Sequence, residues 1–227
     1  MAGVEDPLAQ KVSARFAKTG AARFHSHHDL MRFWERALRR AAWPVRRTAG
    51  FNPHPRLVFP HALGVGVASA VEEAEIELRE IRPLPALARA LAPTLEPTLR
   101  LVSLAPLPPS RKGKRVVECV YRIGGWPEAI DADRLAEAAA ALWATREWMV
   151  ERGPPRERTR LDARPWLAGV EAVEGSRSDG GPWVRATLRH TERGAGRVDE
   201  TARALAARLD VEPESLDLEK IAMTLAE

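Results

Sequence analysis

The length, composition and charge of the chain exclude several classes of protein. Its 227 residues, 45% of them hydrophobic, suit one ordinary domain or two small ones with a real core. No run of about 18 apolar residues occurs, and the first residues, MAGVEDPLAQ, lack the pattern of a signal peptide, so we expect a soluble, cytoplasmic protein without a membrane partner. The single cysteine, Cys119, excludes an internal disulfide, a cysteine-rich zinc site and an iron–sulfur cluster within this chain.

Positive charge is concentrated in the first third of the chain. Between Lys11 and His61 there are eleven Lys and Arg residues against Asp29 and Glu35, a balance of +9, so the rest of the chain carries −5 of the net +4. This asymmetry predicts a polyanionic partner for the N-terminal third. The arginine-rich composition of a GC-rich genome is the alternative explanation.

Apolar periodicity predicts the element order β-α-β-β-α-β in the first half of the chain. KVSARFAK alternates like a half-buried strand, a helix begins at Ser26, and EEAEIELRE alternates again after RLVFPHALGVGV. LPALARALA fits a second helix and LRLVSLAPL a closing strand. The proline-rich, basic stretch APLPPSRKGKR then indicates a linker or an exposed loop.

The second half of the chain repeats this order of elements. RVVECVYRI, EWMVER, WLAGVEAVEG, PWVRATLRH and LEKIAMTLA indicate strands, and DADRLAEAAAALWA and RVDETARALAARL indicate helices. The repeat predicts an α+β fold of two tandem ferredoxin-like units, each an antiparallel sheet with helices on one face. The predicted first unit covers residues 11–105, the linker 106–114 and the second unit 115–227.

The helix that begins at Ser26 is predicted to have two distinct faces. Ser26 can cap it, and Asp29, three residues later, completes a short capping box. At 100° per residue its arginines fall on one side and its apolar residues on the other. Arginines without acidic partners repel one another unless an anion covers them, which indicates either phosphate contact or a solvated or interdomain face. The arginines on this face are Arg32, Arg36, Arg39 and Arg40.

The histidines near this helix allow three chemical interpretations. One is a zinc site, although the H-x-H and H-x₆-H spacings match no defined ligand motif and no cysteine assists. Another makes His27 or His54 a general acid/base, as in a metal-independent ribonuclease. We favour the third, in which His27 points inward with Trp34 and Leu38 and ties the helix start to a neighbouring loop, and we assign no metal. The residues of the zinc alternative are His25, His27, His54 and His61.

The stretch GFNPHP predicts a rigid loop. Pro53 and Pro55 restrict the backbone and bias Asn52 and His54 towards extended conformations, while Gly50 permits a tight bend. Loops held by a scaffold often carry function, so this loop is either a binding element that presents Asn52 and His54 or a structural turn between two strands.

The stretch FAKTGAARFHSHHDLMRFWERALRRAAWPVRRTAGFNPHPRLVF resembles the opening motif of the radical SAM-linked domain of unknown function. The match runs through F-x-K-x-G-x-x-R-F-x-S-H-x-D-L-x-R, R-A-L-R-R-A and G-F-N-P-H-P. Positions 25 and 28 are usually apolar in that family, so His25 and His28 look incidental. The matching residues are Lys18, Gly20, Arg23, Ser26, His27, Asp29, Arg32, Arg36, Arg39, Arg40, Gly50, Phe51, Asn52, Pro53 and Pro55.

The resemblance implies a partner, because this family is encoded beside, or fused behind, a cobalamin-type radical SAM protein. The chain lacks the three-cysteine cluster motif, so the iron–sulfur cluster and S-adenosylmethionine are expected only in the partner, and no cofactor in this chain. The tandem ferredoxin-like layout with a basic helix is also similar to CRISPR repeat-processing endoribonucleases, a likeness of fold alone.

We therefore expect an accessory protein that binds RNA, either tRNA or rRNA, and presents it to a radical SAM enzyme. We do not expect it to be an enzyme on its own. Two alternatives remain open: an RNA-processing or RNA-modifying enzyme that uses His27 or His54, and a module that only binds protein. The expected RNA-binding residues are Lys18, Arg23, Arg32, Arg36, Arg39, Arg40, Asn52 and His54, and the expected structural motif residues are Gly20, Ser26, His27, Asp29, Gly50, Phe51, Pro53 and Pro55.

Overall fold

The structure, a computed structural model, consists of two compact units. It describes residues 6–49, 51, 53–108, 115–154, 156–175 and 180–226. The first unit comprises Met1–Arg115 with Ala226–Glu227, and the second comprises Val116–Leu225. The predicted linker, 106–114, lies largely outside the described residues, so the predicted domain boundaries stay a prediction. None of the helices in the described ranges has the length and apolar character that a membrane span requires.

The predicted fold class, two tandem ferredoxin-like units with antiparallel sheets, is wrong. Nine strands belong to one mixed sheet that includes a parallel pair, two further strands form a separate hairpin, and the described residues contain four α-helices. The fold is therefore mixed α/β. The period of the apolar residues indicates which side chains face a core. It does not indicate which strands will be neighbours, because strands pair through backbone groups that are the same in every residue.

The first unit is built around one central strand. This strand, β1, is antiparallel to β3 on one side and to β4 on the other, and β2 pairs with β3. The segment RLVFPHALGVGV contributes only two residues of strand, since Pro60 cannot donate to a ladder. The elements are β1 (Gln10–Lys18), α1 (His27–Arg40), β2 (Leu57–Val58), β3 (Ala68–Leu78), α2 (Leu84–Leu91) and β4 (Leu99–Leu107).

The core of the first unit lies between β1 and α1. Alternate residues of β1 are buried in it, and the ring centroids of Phe16 and Trp34 lie 4.9 Å apart. Phe59 closes the cluster, with its centroid 6.3 Å from that of Trp34. This confirms the predicted apolar face of the helix. Its buried residues are Leu30, Phe33, Trp34, Ala37 and Leu38.

The second unit has its own core, built on β5. This strand pairs with β9, and β9 also pairs with β8 and β10, while β11 lies beside β5. Cys119 on β5 is fully buried, as a small core residue should be. The elements are β5 (Arg115–Gly124), α3 (Ala132–Ala144), β6 (Met149–Arg152), β7 (Thr159–Asp162), β8 (Leu167–Val173), β9 (Trp183–Thr191), β10 (Gly194–Ala195), α4 (Val198–Leu209) and β11 (Asp217–Ala226).

The hairpin of β6 and β7 is attached to α4 by an ion pair. Arg152 on β6 donates two hydrogen bonds of 2.7 Å to the carboxylate of Glu200. Glu200 is only 5% exposed, and the Arg152 guanidinium also lies 4.7 Å from the centroid of the Trp166 ring. A bidentate pair of this kind fixes orientation as well as charge. The hairpin is therefore held in place although it is separate from the main sheet.

His190 on β9 makes the stability of the second unit depend on pH. Burial lowers the pKa of His190, and the positive charge of Lys220 on β11 lowers this pKa further. Because the folded pKa lies below the unfolded value of 6.5, the neutral ring contributes stability above that pH, and the contribution is lost as pH falls towards the folded pKa. We expect the thermal midpoint of the wild type to fall below pH 6.5, and His190→Gln to reduce this fall. Identical pH profiles for the two proteins would contradict this role.

Candidate nucleic-acid interface

Helix α1 begins at the capping box that the sequence predicted. The backbone N–H of Asp29 donates to the Ser26 hydroxyl oxygen over 3.2 Å, and the backbone N–H of Ser26 donates to the Asp29 carboxylate, also over 3.2 Å. The bonds from the Ser26 side chain and backbone lower the pKa of Asp29, with a smaller contribution from Arg32. An ionised carboxylate therefore already interacts with the positive end of the helix dipole, so the helix start needs no bound anion to cap it.

The four arginines of α1 form a continuous exposed surface, called here the arginine face (Arg32, Arg36, Arg39 and Arg40). Arg40 is partly engaged, because its guanidinium donates to the carbonyl oxygen of Thr94 over 2.7 Å. Arg32 lies close enough to Asp29 to lower the pKa of that carboxyl. Within the described ranges, Arg36 and Arg39 make no ion pair, so their charge is available to a ligand.

Two other basic residues of the first third form ion pairs within the protein. Lys11 pairs with Glu75 at 2.7 Å, and Arg46 pairs with Glu77, also at 2.7 Å. Both acids belong to β3, which lies outside the stretch between residues 11 and 61. The balance of +9 therefore overstates the exposed positive charge, and the arginine face holds much of what stays accessible.

Lys18 is not placed to contact RNA, contrary to the prediction. Its side chain is buried, with 1% of the residue exposed, and its Nζ donates to the carbonyl oxygen of His25 over 3.1 Å. The lysine thus holds the chain just before helix α1. Gly20, two residues after Lys18, is also structural. Its φ of +50° favours glycine, and a Cβ added there would lie only 2.9 Å from the Thr98 side chain.

Arg23 and Phe24 lie at the N-terminal end of α1. Both belong to the 3₁₀ turn Gly20–Phe24, and the Arg23 guanidinium lies 4.9 Å from the centroid of the Phe24 ring. Arg23 is half-buried, whereas Phe24 is 59% exposed. The sequence prediction included Arg23 but not Phe24, although the family motif itself contains an aromatic residue at this position.

Of the histidines at the start of α1, His27 is placed differently from the prediction. His27 was predicted to point inward, but it is exposed, and its ring meets the edge of Phe59 with 5.8 Å between centroids. The ring of His27 does point towards the apolar side of the helix, as its position in the helix predicted. Because it lies in the first turn, only one side of the ring is covered. His28 is exposed, and His25 is half-buried, with its Nδ1 3.9 Å from the Glu96 carboxylate.

The described residues around the GFNPHP stretch pair as a short hairpin, called here the proline hairpin (residues 47–49, 51 and 53–55). Arg47 and Pro55 form an isolated bridge, and Thr48 and His54 exchange two hydrogen bonds of 2.9 and 3.0 Å. The carbonyl oxygen of Pro53 accepts from the Arg47 guanidinium over 3.2 Å. Phe51, near the tip, is fully exposed, whereas the predicted residues Gly50 and Asn52 lie outside the described part of the chain.

The proline hairpin and the histidines at the helix start lie at opposite ends of α1. Lys18, at the end of β1, contacts the segment that precedes the helix. Arg46, just before the hairpin, donates its backbone N–H to the carbonyl oxygen of Glu77, which lies opposite Lys11 in the β1–β3 register, near the start of β1. Helix α1 therefore runs back along β1, and the 14 residues of the helix span about 21 Å. The structure does not bring His27 and His54 together as an acid–base pair.

Comparisons with known proteins give a family but no established activity. A family described as "Uncharacterized protein conserved in bacteria (DUF2344)" matches residues 11–198. No curated protein matches the chain. One solved structure, "Crystal Structure of an Unknown Protein from Galdieria sulphuraria", is 16% identical and covers 96% of this chain and 99% of its own, with a TM-score of 0.25. A likeness at that level supports no inference about this protein.

Proposed function

We propose that this chain, which belongs to DUF2344, a family of uncharacterized proteins conserved in bacteria, binds RNA through the arginine face and presents it to a partner enzyme. The observation that supports this proposal is the exposure of Arg36 and Arg39 without an ion pair among the described residues. A guanidinium matches the geometry of a phosphate through paired N–H donors, and it stays charged at any physiological pH. A polyanion would relieve the repulsion among the four arginines.

The size of the arginine face suits a short stretch of nucleic acid. The helix is about 21 Å long, which corresponds to roughly six phosphates at 3.4 Å per nucleotide along one stacked strand. Arg23 extends the surface at the N-terminal end of the helix. The proline hairpin, with Arg47 and His54 exposed, extends it at the other end. RNA, either tRNA or rRNA, would follow the helix between these two ends.

The partner that we propose is a radical SAM protein, on the strength of the family resemblance. One cysteine cannot supply the three thiolates of a radical SAM cluster, so the cluster and S-adenosylmethionine would be held by the partner. In this arrangement the chain has an accessory role and supplies RNA recognition rather than chemistry. An RNA-cleaving enzyme would instead have to use His27 or His54 singly, because the two lie at opposite ends of α1.

A titration of purified protein with a labelled single-stranded RNA of about ten nucleotides tests the proposal. We expect binding at about 50 mM salt that weakens as salt is raised, because phosphate contacts release counterions. Gel analysis of the same samples checks for cleavage products. Absence of RNA binding at low salt would contradict the proposal, and cleavage that is abolished by His27→Ala or His54→Ala would favour the enzyme alternative.

A second experiment separates RNA binding from binding to protein alone. The tagged chain is purified from bacterial lysate with and without nuclease treatment, and both protein and nucleic acid in the eluate are identified. We expect both RNA and a radical SAM protein in the eluate prepared without nuclease. A partner that survives nuclease but is lost on Arg36→Glu would instead assign the arginine face to protein docking.

A further inference from the structure

We infer that Phe24 is a stacking platform for an unpaired nucleobase, so that the RNA bound by this protein is single-stranded at the N-terminal end of α1. The inference rests on the proposed function and deepens it, since it specifies the class of RNA. Phe24 is 59% exposed, whereas Phe16, Phe33 and Phe59 of the same unit are each at most 8% exposed; Phe51, in the proline hairpin, is also fully exposed. An exposed phenyl ring gains little for folding, and the inference rests on its exposure together with its contact with Arg23 at the start of α1.

The chain around Phe24 is held in place by several hydrogen bonds. The N–H of His25 donates to the carbonyl oxygen of Ala22 over 3.0 Å, and the N–H of Gly66 donates to the carbonyl oxygen of Arg23 over 2.9 Å. The buried Lys18 binds the carbonyl oxygen of His25. These hydrogen bonds hold the backbone that carries the ring. Stacking a base on the ring would therefore require little further ordering of the protein, and little affinity would be lost for that reason.

One face of the Phe24 ring is already occupied by a cation. The Arg23 guanidinium lies 4.9 Å from the ring centroid, within the range of a cation–π contact. In the proposal a base stacks on the other face of the ring, which is 59% exposed overall, while Arg23 adds positive charge beside the phosphate of the same nucleotide. Aromatic side chains combined with a basic track are the usual means by which proteins bind single strands.

The position of Phe24 relative to the arginine face selects single-stranded RNA. Phe24 precedes the first residue of α1 by three positions, and the arginine face begins with Arg32 in the second turn. In the proposal, a strand whose phosphates follow the arginines continues past the start of the helix to the ring. In an RNA duplex the faces of the bases are covered by their neighbours, so a duplex could contact the arginines but could not stack on Phe24.

The test compares three probes: a single-stranded RNA of ten nucleotides, a blunt RNA duplex of the same length, and inorganic polyphosphate. For Phe24→Ala we expect single-strand affinity to fall by roughly 5- to 150-fold, the range for loss of one base–aromatic stack, with no change for polyphosphate or the duplex. Phe24→Trp should retain or increase single-strand affinity. Circular dichroism of each variant checks that it is folded.

Ile81→Ala is the matched control for loss of exposed apolar area. Ile81 is 77% exposed and follows Leu78, whose register partner is Gln10 at the opposite end of β1 from Phe24. It should bind all three probes like the wild type. If Phe24→Ala binds the single strand like the wild type, or loses the three probes equally, the inference is overturned while the proposed function stands. If the wild type binds no RNA, both are overturned.

Discussion

Replacing Arg36 and Arg39 together with alanine is expected to weaken binding to single-stranded RNA by roughly 25-fold at 0.1 M salt. Both arginines are exposed and make no ion pair among the described residues, and neither is engaged with a carbonyl oxygen as Arg40 is. For single strands, each phosphate contact makes the slope of log affinity against log salt steeper by about 0.7. At 0.1 M salt this corresponds to a factor of roughly five in affinity per contact. The loss is measured by fluorescence anisotropy with labelled RNA.

The control for this prediction is the double variant Arg15→Ala with Arg100→Ala. Both arginines are exposed. Ala14 and Phe16, on either side of Arg15 in β1, point into the core beneath α1, so Arg15 lies on the opposite face of the sheet. Arg100 is opposite Ala17 in the register and lies on that same face. The control removes the same two charges from the same unit. Equal losses for the two double variants would show that net charge, rather than the arginine face, determines binding.

Replacing Trp34 with alanine is expected to lower the free energy of unfolding of the first unit by about 3–5 kcal/mol. Trp34 is fully buried between Phe16 and Phe59, so the alanine variant leaves a large cavity beneath α1. Its Nε1 is buried and has no hydrogen-bond partner in the described part of the chain. Trp34→Phe should therefore cost less, because it fills most of the space and removes an N–H that pays a desolvation penalty.

Urea denaturation followed by circular dichroism measures these differences. Ile81→Ala, an exposed substitution in the same unit, should change the free energy of unfolding by no more than about 0.5 kcal/mol. A loss of less than about 1 kcal/mol for Trp34→Ala would contradict the central position of this side chain in the core.

Local features of the sequence predicted local structure well. Helix α1, its capping box and its buried face follow from residues within four positions of one another, and the structure confirms all three. The predicted strands at KVSARFAK and RVVECVYRI are likewise confirmed as β1 and β5. Such features depend on the period of the side chains, which is visible in a single sequence.

Features that depend on distant parts of the chain were predicted less well. The ion pairs of Lys11 and Arg46 with β3 could not be found from residues 11–61 alone, because their acidic partners are 64 and 31 positions further along the chain. The burial of Lys18 could have been found, since it is in phase with Val12, Ala14 and Phe16 on the core side of β1. The predicted fold class was wrong because the period of the apolar residues does not indicate which strands pair with one another.

The salt dependence of RNA binding tests the central claim most directly. If the four arginines contact phosphates, log affinity should fall with log salt with a slope of about −2 to −3, and the Arg36→Ala, Arg39→Ala variant should have a slope shallower by about 1.4. A wild-type slope near zero, or an unchanged slope in the variant, would contradict RNA binding through the arginine face.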